Sequence, residues 1–282
     1  MTVKTYLIQV SYWNKCKKLT ALSKLGMGDY KNIKVERRGH VYVVIINRPE
    51  RRNAVDADTA EELYRAWRYF EEDDDSYVGI IMGAGGNFSA GADLYDIERM
   101  IKRVSNPNGP LGFTRMILSK PVIAAISGYC VAGGLEIALW ADIRVADKTA
   151  KFGFLERRFG VPLVDGGTQR LARIIGVGRA LDMILTGRLI SAEEAYQWGL
   201  VNYLVDEGKA LDKAIEIAEL ISKYPQRTLR NDRLALYEGL GRPLNDGLVI
   251  EMNRGIESIK SGEIHEGVGR FLQGFGRHGE IG

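Results

Sequence analysis

The chain has 282 residues, 45% of them hydrophobic and 27% charged, which suits a soluble globular protein with one large core or two smaller ones. Its 39 basic and 36 acidic side chains leave a net charge of only +3, too balanced for charge alone to predict nucleic-acid binding. The two cysteines, Cys16 and Cys130, lie far apart with no metal-ligand spacing, which argues against a disulfide scaffold and for a reduced, cytoplasmic setting.

No apolar run approaches the ~20 residues that a membrane span requires. The first 26 residues are basic and mildly apolar, without the apolar core and cleavage site of a signal peptide. They fit poorly with the rest of the chain, so residues 1–30 are expected to form an extension, flexible or outside the native start. Periodicity begins near Ile33. Residues 40–47 (HVYVVIIN) are β-branched and stop at Arg48-Pro49, which predicts a buried strand. Asp58 and Glu61 have the spacing of a capping box, and Leu63, Trp67 and Phe70 recur at helical spacing beyond it. A second strand is expected at 78–82, followed by a glycine-rich loop through Gly91.

The pattern then repeats in outline: a strand at 121–127, a loop at 128–134 and an apolar helix at 135–141. Short strands are expected at 143–146 and 151–154. From Gly167 the chain reads as mostly helical, with Ser191 and Glu194 as a second capping pair and Pro225 suited to a first helical turn. Residues 244–275 predict two amphipathic helices. Strand–helix alternation followed by helices predicts an α/β core over 31–210 and a helical C-terminal subdomain over 211–282.

Two segments share a design in which a β-branched strand feeds a loop of small residues and the loop feeds a helix. They are IIMGAGGNFSAGADL at 80–94 and ISGYCVAGGLE at 126–136. Glycines let backbone N–H groups aim outward, and a helix start adds free N–H groups with a partial positive charge. Two such loops converging would make an oxyanion hole. Each alone is more often a simple turn, and Phe88 at the last glycine position spoils a dinucleotide-binding GxGxxG.

The order and spacing of these pieces resemble the enoyl-CoA hydratase/isomerase (crotonase) superfamily over about residues 33–278. The landmarks are Asn47-Arg48-Pro49 with Asn53-Ala54, Phe88 through Leu94, Gly128 through Glu136, and Ala141-Asp142-Ile143-Arg144. Phe152-Gly153 with Glu156, and Gly166 through Leu171, complete them. The resemblance implies a crotonase (ClpP-like) spiral of repeated ββα units, with C-terminal helices that cover the site and mediate a homotrimer or dimer of trimers. It implies that the Ala92 and Gly133 amides hold a thioester oxygen, and that Glu136 and Glu156 flank the substrate double bond as in hydratases. Arg52, Ala54, Ala90, Asp93 and Leu94 fall where the family binds substrate and CoA. The implied reaction is hydration of a 2-enoyl-CoA, a lyase step of fatty-acid metabolism. No metal or redox cofactor is implied; CoA enters as part of the substrate.

That chemistry explains the residue types. Adding water to a conjugated thioester puts negative charge on the carbonyl oxygen, which preorganised N–H donors stabilise. A base must activate the water and an acid must protonate the α-carbon. Glu136, in the first turn of its helix, is expected to be ionised and to take the water's proton, and Glu156 to exchange a proton with the α-carbon. A dipole partner at 136 and a surface ion pair at 156 are the plainer alternatives.

The chain departs from the family pattern at 161–165, at Tyr95 and at 157–162 (RRFGVP), the last belonging to a less well defined branch of the family. Val164 stands where hydratases carry the glycine that helps place the water. Asp165 adds a third carboxylate, expected mainly to cap the following helix and otherwise to serve as an acidic group of an isomerase. Tyr95 stands where a lysine often meets the CoA phosphates, so Arg51, Arg52 or Arg277 is a candidate replacement. The competing readings are an enoyl-CoA isomerase, a 3-hydroxyacyl-CoA dehydratase, and a CoA-thioester- or RNA-binding relative without catalysis. A serine hydrolase fits worst, since only His40, His265 and His278 are available and no GxSxG elbow is present.

Overall fold

The computed structural model describes residues 29–276. Residues 1–28 of the expected extension, together with Arg277 and His278, lie outside the described residues. The chain enters through an antiparallel pair, β1 (Ile33–Arg38) and β2 (Val41–Ile46), turned at Gly39, whose φ of +57° suits a residue without Cβ. Strands β3 (Val78–Gly83), β4 (Val122–Ile126), β6 (Ile143–Asp147) and β9 (Tyr203–Val205) then add in parallel, giving the order β1-β2-β3-β4-β6-β9. β2 alternates between two cores: Val41 and Val43 face one, and Tyr42, Val44 and Ile46 the other. A parallel sheet is buried on both faces, which is why 40–47 reads as a continuous apolar run.

A second layer runs beside this sheet. β5 (Tyr129–Val131), β7 (Lys151–Gly153) and β8 (Ile190–Ser191) form it, and single parallel bridges continue it from Cys130 to Ser89 and from Ala92 to Val55. Each turn of the chain thus lays one strand in the large sheet, one short rung in the second layer and then a helix, which is the expected ββα spiral. The segment at 128–134 is therefore not only a loop: β5 occupies its middle, and three residues are too short a run for periodicity to reveal.

The helices fill the remaining layers. They are α1 (Ala57–Glu72), α2 (Ile97–Lys102), α3 (Gly133–Trp140), α4 (Gly167–Ile175), α5 (Val177–Thr186) and α6 (Ala192–Gln197). α1 is capped by Asp56, whose carboxylate accepts from Thr59 N at 2.8 Å; Asp58 instead faces outward and pairs with Arg99. The capping box expected at 58–61 is thus displaced by two residues, because Asp56 and Asp58 both offer a carboxylate and only Asp56 has the extended cap conformation. Ser191 caps α6 as expected, accepting from Glu194 N. Below α1 and α3, Trp67, Phe113 and Trp140 meet edge-on or tilted at 4.6–5.9 Å, an aromatic floor for the second layer.

α7 (Ala210–Ser222) lies across the other face of the large sheet, burying Ala210, Ala214, Ile217 and Ala218 against Val43, Ile80, Ile123 and Val145. It goes with the core, so the boundary expected at residue 210 falls one helix too early. The C-terminal helices proper are α8 (Gln226–Gly239), α9 (Leu244–Lys260) and α10 (Glu263–Leu272), with Pro225 at the N-cap of α8 rather than inside its first turn. α8 is fastened to the core by Arg233, which meets Asp142 at 2.8 Å, and by the Tyr237 hydroxyl, which donates to the same carboxylate.

Candidate active site

The first glycine-rich loop is built on a side-chain scaffold. Asn53 donates to Ala84 O and Asn87 O and accepts from Arg48 N, clamping the chain that leaves β2 against the loop that leaves β3. Ser89 donates to Asn53 O and accepts from Gly91 N. Arg48 sits between Asp56 and Asp93, 2.9 Å from each carboxylate, and also donates to Ala54 O. The Asp93 side chain is thereby engaged with Arg48 and Tyr95 N, so its part in the site is to hold the loop, and any substrate contact there falls to the backbone. Arg48 and Asn53 carry this scaffold; the sequence shows them only as family landmarks, because their partners are backbone groups 31–34 residues away for Asn53 and carboxylates on two separate segments for Arg48.

The loops from β3 and β5 meet at the expected amides. A Cβ added at Gly91 would lie 2.5 Å from Gly133 N, and one added at Gly133 would lie 3.4 Å from Ala92 N. The two N–H groups are therefore neighbours. Surrounding amides are spoken for: Ala90 N donates to Arg52 O, Asp93 N to Val55 O and Ala132 N to Gly153 O. Among the described residues neither Ala92 N–H nor Gly133 N–H is given to any acceptor of the chain. Gly133 opens α3, and Ala132 before it has φ +53° and ψ −132°, a conformation that L residues rarely adopt. Such a residue costs of order 1–3 kcal/mol and persists where its surroundings impose it. Two unspent amides beside a strained peptide are a pair of donors of the kind that can hold an oxyanion.

Glu136 and Glu156 both lie inside, 3% and 7% exposed. Glu136 projects from the first turn of α3, and its Oε1 accepts from Asp165 N at 2.9 Å and Gly167 N at 2.7 Å; its Oε2 has no partner among the described residues. Burial, followed by the nearby Asp165 charge, lifts its pKa to about 8 against the pull of the two amides, with Glu156 adding a smaller push. The helix start was expected to keep this carboxyl ionised, but desolvation outweighs it. Glu156, in a 3-10 turn spanning Leu155–Phe159, keeps both carboxyl oxygens buried without a hydrogen-bond donor from another described residue, and burial lifts it to about 7 against the pull of its own backbone N–H and of Arg157. It is not the surface ion pair that Arg157 and Arg158 suggested.

Asp165 is buried as well, but it does not cap α4. The N-cap is Gly166, and the Asp165 carboxylate turns away to accept from Leu111 N and the Thr114 hydroxyl. The role expected of it passes to Glu136, whose Oε1 takes the first N–H of α4.

A ββα spiral that holds two partly buried amides and two buried, unusually basic carboxyls has relatives among known proteins. The model of the family described as enoyl-CoA hydratase/isomerase matches residues 36–274. The chain belongs to that family. An enoyl-CoA hydratase of Mycobacterium tuberculosis is 37% identical over 246 residues, covering 85% of this chain and 92% of its own. A short-chain-enoyl-CoA hydratase of Clostridium acetobutylicum is 37% identical over 225 residues, covering 78% and 86%. Among solved structures, an enoyl-CoA hydratase of Mycobacterium marinum superposes with a TM-score of 0.83 at 35% identity, covering 86% of this chain and 96% of that one.

Cationic and aromatic side chains pair on the segments that carry the two loops. Arg51 lies over the Tyr95 ring at 4.4 Å and Arg52 over the Tyr129 ring at 5.1 Å, where Lys151 also approaches. Tyr95 is 86% exposed and Leu94 48% exposed, so both are free to meet a ligand. Ala54 O accepts from Arg48, and Ala90 N donates to Arg52 O.

Proposed function

We propose that the protein hydrates 2-enoyl-CoA thioesters. One observation carries the reading: the unspent amides of Ala92 and Gly133 stand in one structure with two buried carboxyls whose pKa values fall near 7 and 8. The amides would hold the thioester oxygen as it gains charge. Between pH 7 and 8 the two carboxyls together keep about one proton, held more by Glu136 than by Glu156, so the acting form, with Glu136 as base and Glu156 as acid, is the less populated arrangement of that proton. Oε1 of Glu136 is fixed by two N–H donors that favour the carboxylate, leaving Oε2 to orient water and take its proton. Glu156, with no donor from another described residue on its carboxyl, would give its proton to the α-carbon. The names of the relatives agree with hydration.

Asp165 favours hydration over isomerisation, since its carboxylate is engaged with Leu111 and Thr114 rather than left to act on substrate. Addition of water needs no redox partner, so the reading requires no cofactor, and CoA enters with the substrate. Arg51 and Arg52 would meet its phosphates in place of the lysine replaced by Tyr95. We also infer a cytoplasmic homotrimer or dimer of trimers acting in fatty-acid metabolism. No described helix is long and apolar enough to cross a membrane. The C-terminal helices expose Leu244, Leu248, Met252, Ile256 and Phe271, an apolar surface suited to a second copy of the chain.

The direct test is to mix the protein with crotonyl-CoA and follow loss of the conjugated-thioester absorbance, with product analysis to separate a 3-hydroxyacyl-CoA from a shifted double bond. Solvent-deuterium exchange into the α-carbon of butyryl-CoA tests the division of labour. It should survive Glu136→Gln and be lost in Glu156→Gln; the reverse result would exchange the two roles.

A further inference from the structure

The segment between α2 and β4 is stitched to the start of α4 by side chains. Arg115 donates to Val164 O at 2.8 Å and also ties back Val104 O and Asn106 O. Arg170 donates to Asp165 O at 2.8 Å and to Thr114 O. Asp165 reaches across with its own carboxylate, accepting from Leu111 N at 3.2 Å and from the Thr114 hydroxyl. Gly109 lets the segment press this close to Asp165, and Gly112 lets it press on Ala60 of α1. Both have φ above +90°, and a Cβ at Gly109 would strike Thr114 Oγ1 at 2.2 Å and approach Asp165 Oδ1 at 2.9 Å.

Both ends of this stitching touch the reaction centre. Leu111 Cδ1 would lie 3.0 Å from a Cβ placed on Gly133, so the segment walls the oxyanion socket. At the other end, the N–H of Asp165 itself orients Glu136. One residue therefore holds the water-handling carboxyl through its backbone and the wall of the acyl site through its side chain.

We propose that Asp165 is a positioning residue that sets Glu136 and the wall from Gly109 to Thr114 in a single frame, its hydrogen bonds fixing the wall and its charge acting on Glu136. This rests on the hydratase reading for Glu136 but not on turnover. Asp165 does not touch the reacting atoms. The charged groups facing Glu136 are Asp165, Glu156 and Arg170, and those facing Asp165 are Arg115 and Arg170, with Glu136 on its far side. Asp165 is the larger of the two acidic influences on Glu136, so removing its charge lowers that carboxyl's pKa.

Three variants separate the two tasks. Asp165→Asn keeps an oxygen acceptor for Leu111 and Thr114 but removes the charge; Thr114→Val keeps the charge and removes one tie; Asp165→Ala removes both. Two measurements need no turnover: carbon-13 NMR titration of the Glu136 carboxyl, assigned with Glu136→Gln, and calorimetric binding of unreactive butyryl-CoA. In Asp165→Asn the titration should move about half a unit or more toward acid, with butyryl-CoA affinity within about twofold of wild type. In Thr114→Val the titration should stay within that half unit while affinity falls severalfold, and in Asp165→Ala both should change, affinity by roughly tenfold. An unmoved titration in Asp165→Asn would overturn the effect of the charge. Wild-type affinity in Thr114→Val would overturn the tie, and this variant decides the point if Asp165→Ala does not fold. Absence of crotonyl-CoA hydration by the wild-type protein would count against the hydratase reading alone, leaving both measurements able to judge Asp165.

Discussion

Glu136 and Glu156 show why residue type and residue state must be argued separately. An unfolded glutamate titrates near 4.5, and burial lifts these two to about 8 and about 7. The first consequence is a bell-shaped pH profile for kcat/KM, with its maximum between pH 7 and 8. Rate measurements across pH 5–10 with crotonyl-CoA check it, and a profile flat through that window would contradict the coupled pair. Replacing either glutamate by glutamine should lower kcat by roughly 10²–10⁴-fold. The second consequence concerns stability. A carboxyl whose folded pKa is raised binds its proton more tightly in the folded state. Its contribution is present in full below pH 4.5 and is lost as pH rises through 7 to 8. Glu136→Gln keeps an oxygen for the Asp165 and Gly167 amides, so it should be more stable than wild type by on the order of 1–3 kcal/mol at pH 8 and gain little at pH 4.5. Thermal melts at the two pH values decide this, and a gain independent of pH would refute it.

At the scale of elements, the proposed oxyanion socket is where two turns of the spiral come together. Its parts are a glycine in the left-handed region at 91, a strained alanine at 132 and a helix start at 133. Gly91→Ala would add a Cβ 2.5 Å from Gly133 N at a backbone angle, φ +88°, that disfavours alanine, so activity should fall at least 10²-fold. Circular dichroism would show whether the fold persists. Ala132→Gly acts in the opposite sense. It relieves a conformation that costs alanine of order 1–3 kcal/mol, partly offset by the greater freedom of glycine in the unfolded chain, for a net gain of about 1 kcal/mol. Denaturant unfolding measures it, and a loss of stability would show that the alanine methyl packs more than it strains. The short rungs at β5 and β8 belong to this scale too. Three and two residues carry no readable period, and only pairing with β7 shows them to be strands.

At the scale of the molecule, the described chain leaves a broad apolar face on α9 and α10, with Leu244 76% and Leu272 70% exposed. Exposed patches of this kind on a soluble chain mark association surfaces. Light scattering should give a mass three or six times that of the chain, and Met252→Lys combined with Ile256→Lys should reduce it; a monomeric wild type would remove the trimer from the proposal.

Much of the fold was legible because it rests on local physics. The β-branched run of residues 41–46, the helical spacing of Leu63, Trp67 and Phe70, and the small-residue loops each follow from propensity, a period or a glycine. The family resemblance then pointed to the positions of both amides and both glutamates. What sequence could not reach is whatever depends on depth or on a distant partner. Asp165 had the look of a cap, yet its carboxylate turned to a segment more than fifty residues earlier, while Glu136 took over the helix start. The ionisation of Glu136 could not be read from its place in a helical turn, because dipole and desolvation oppose each other and only the packed interior sets the size of the second. Local propensity and spacing thus determined the order of elements, and the family resemblance named the candidate residues of the site; tertiary packing decided their protonation and their partners, since both depend on how much water the folded chain excludes.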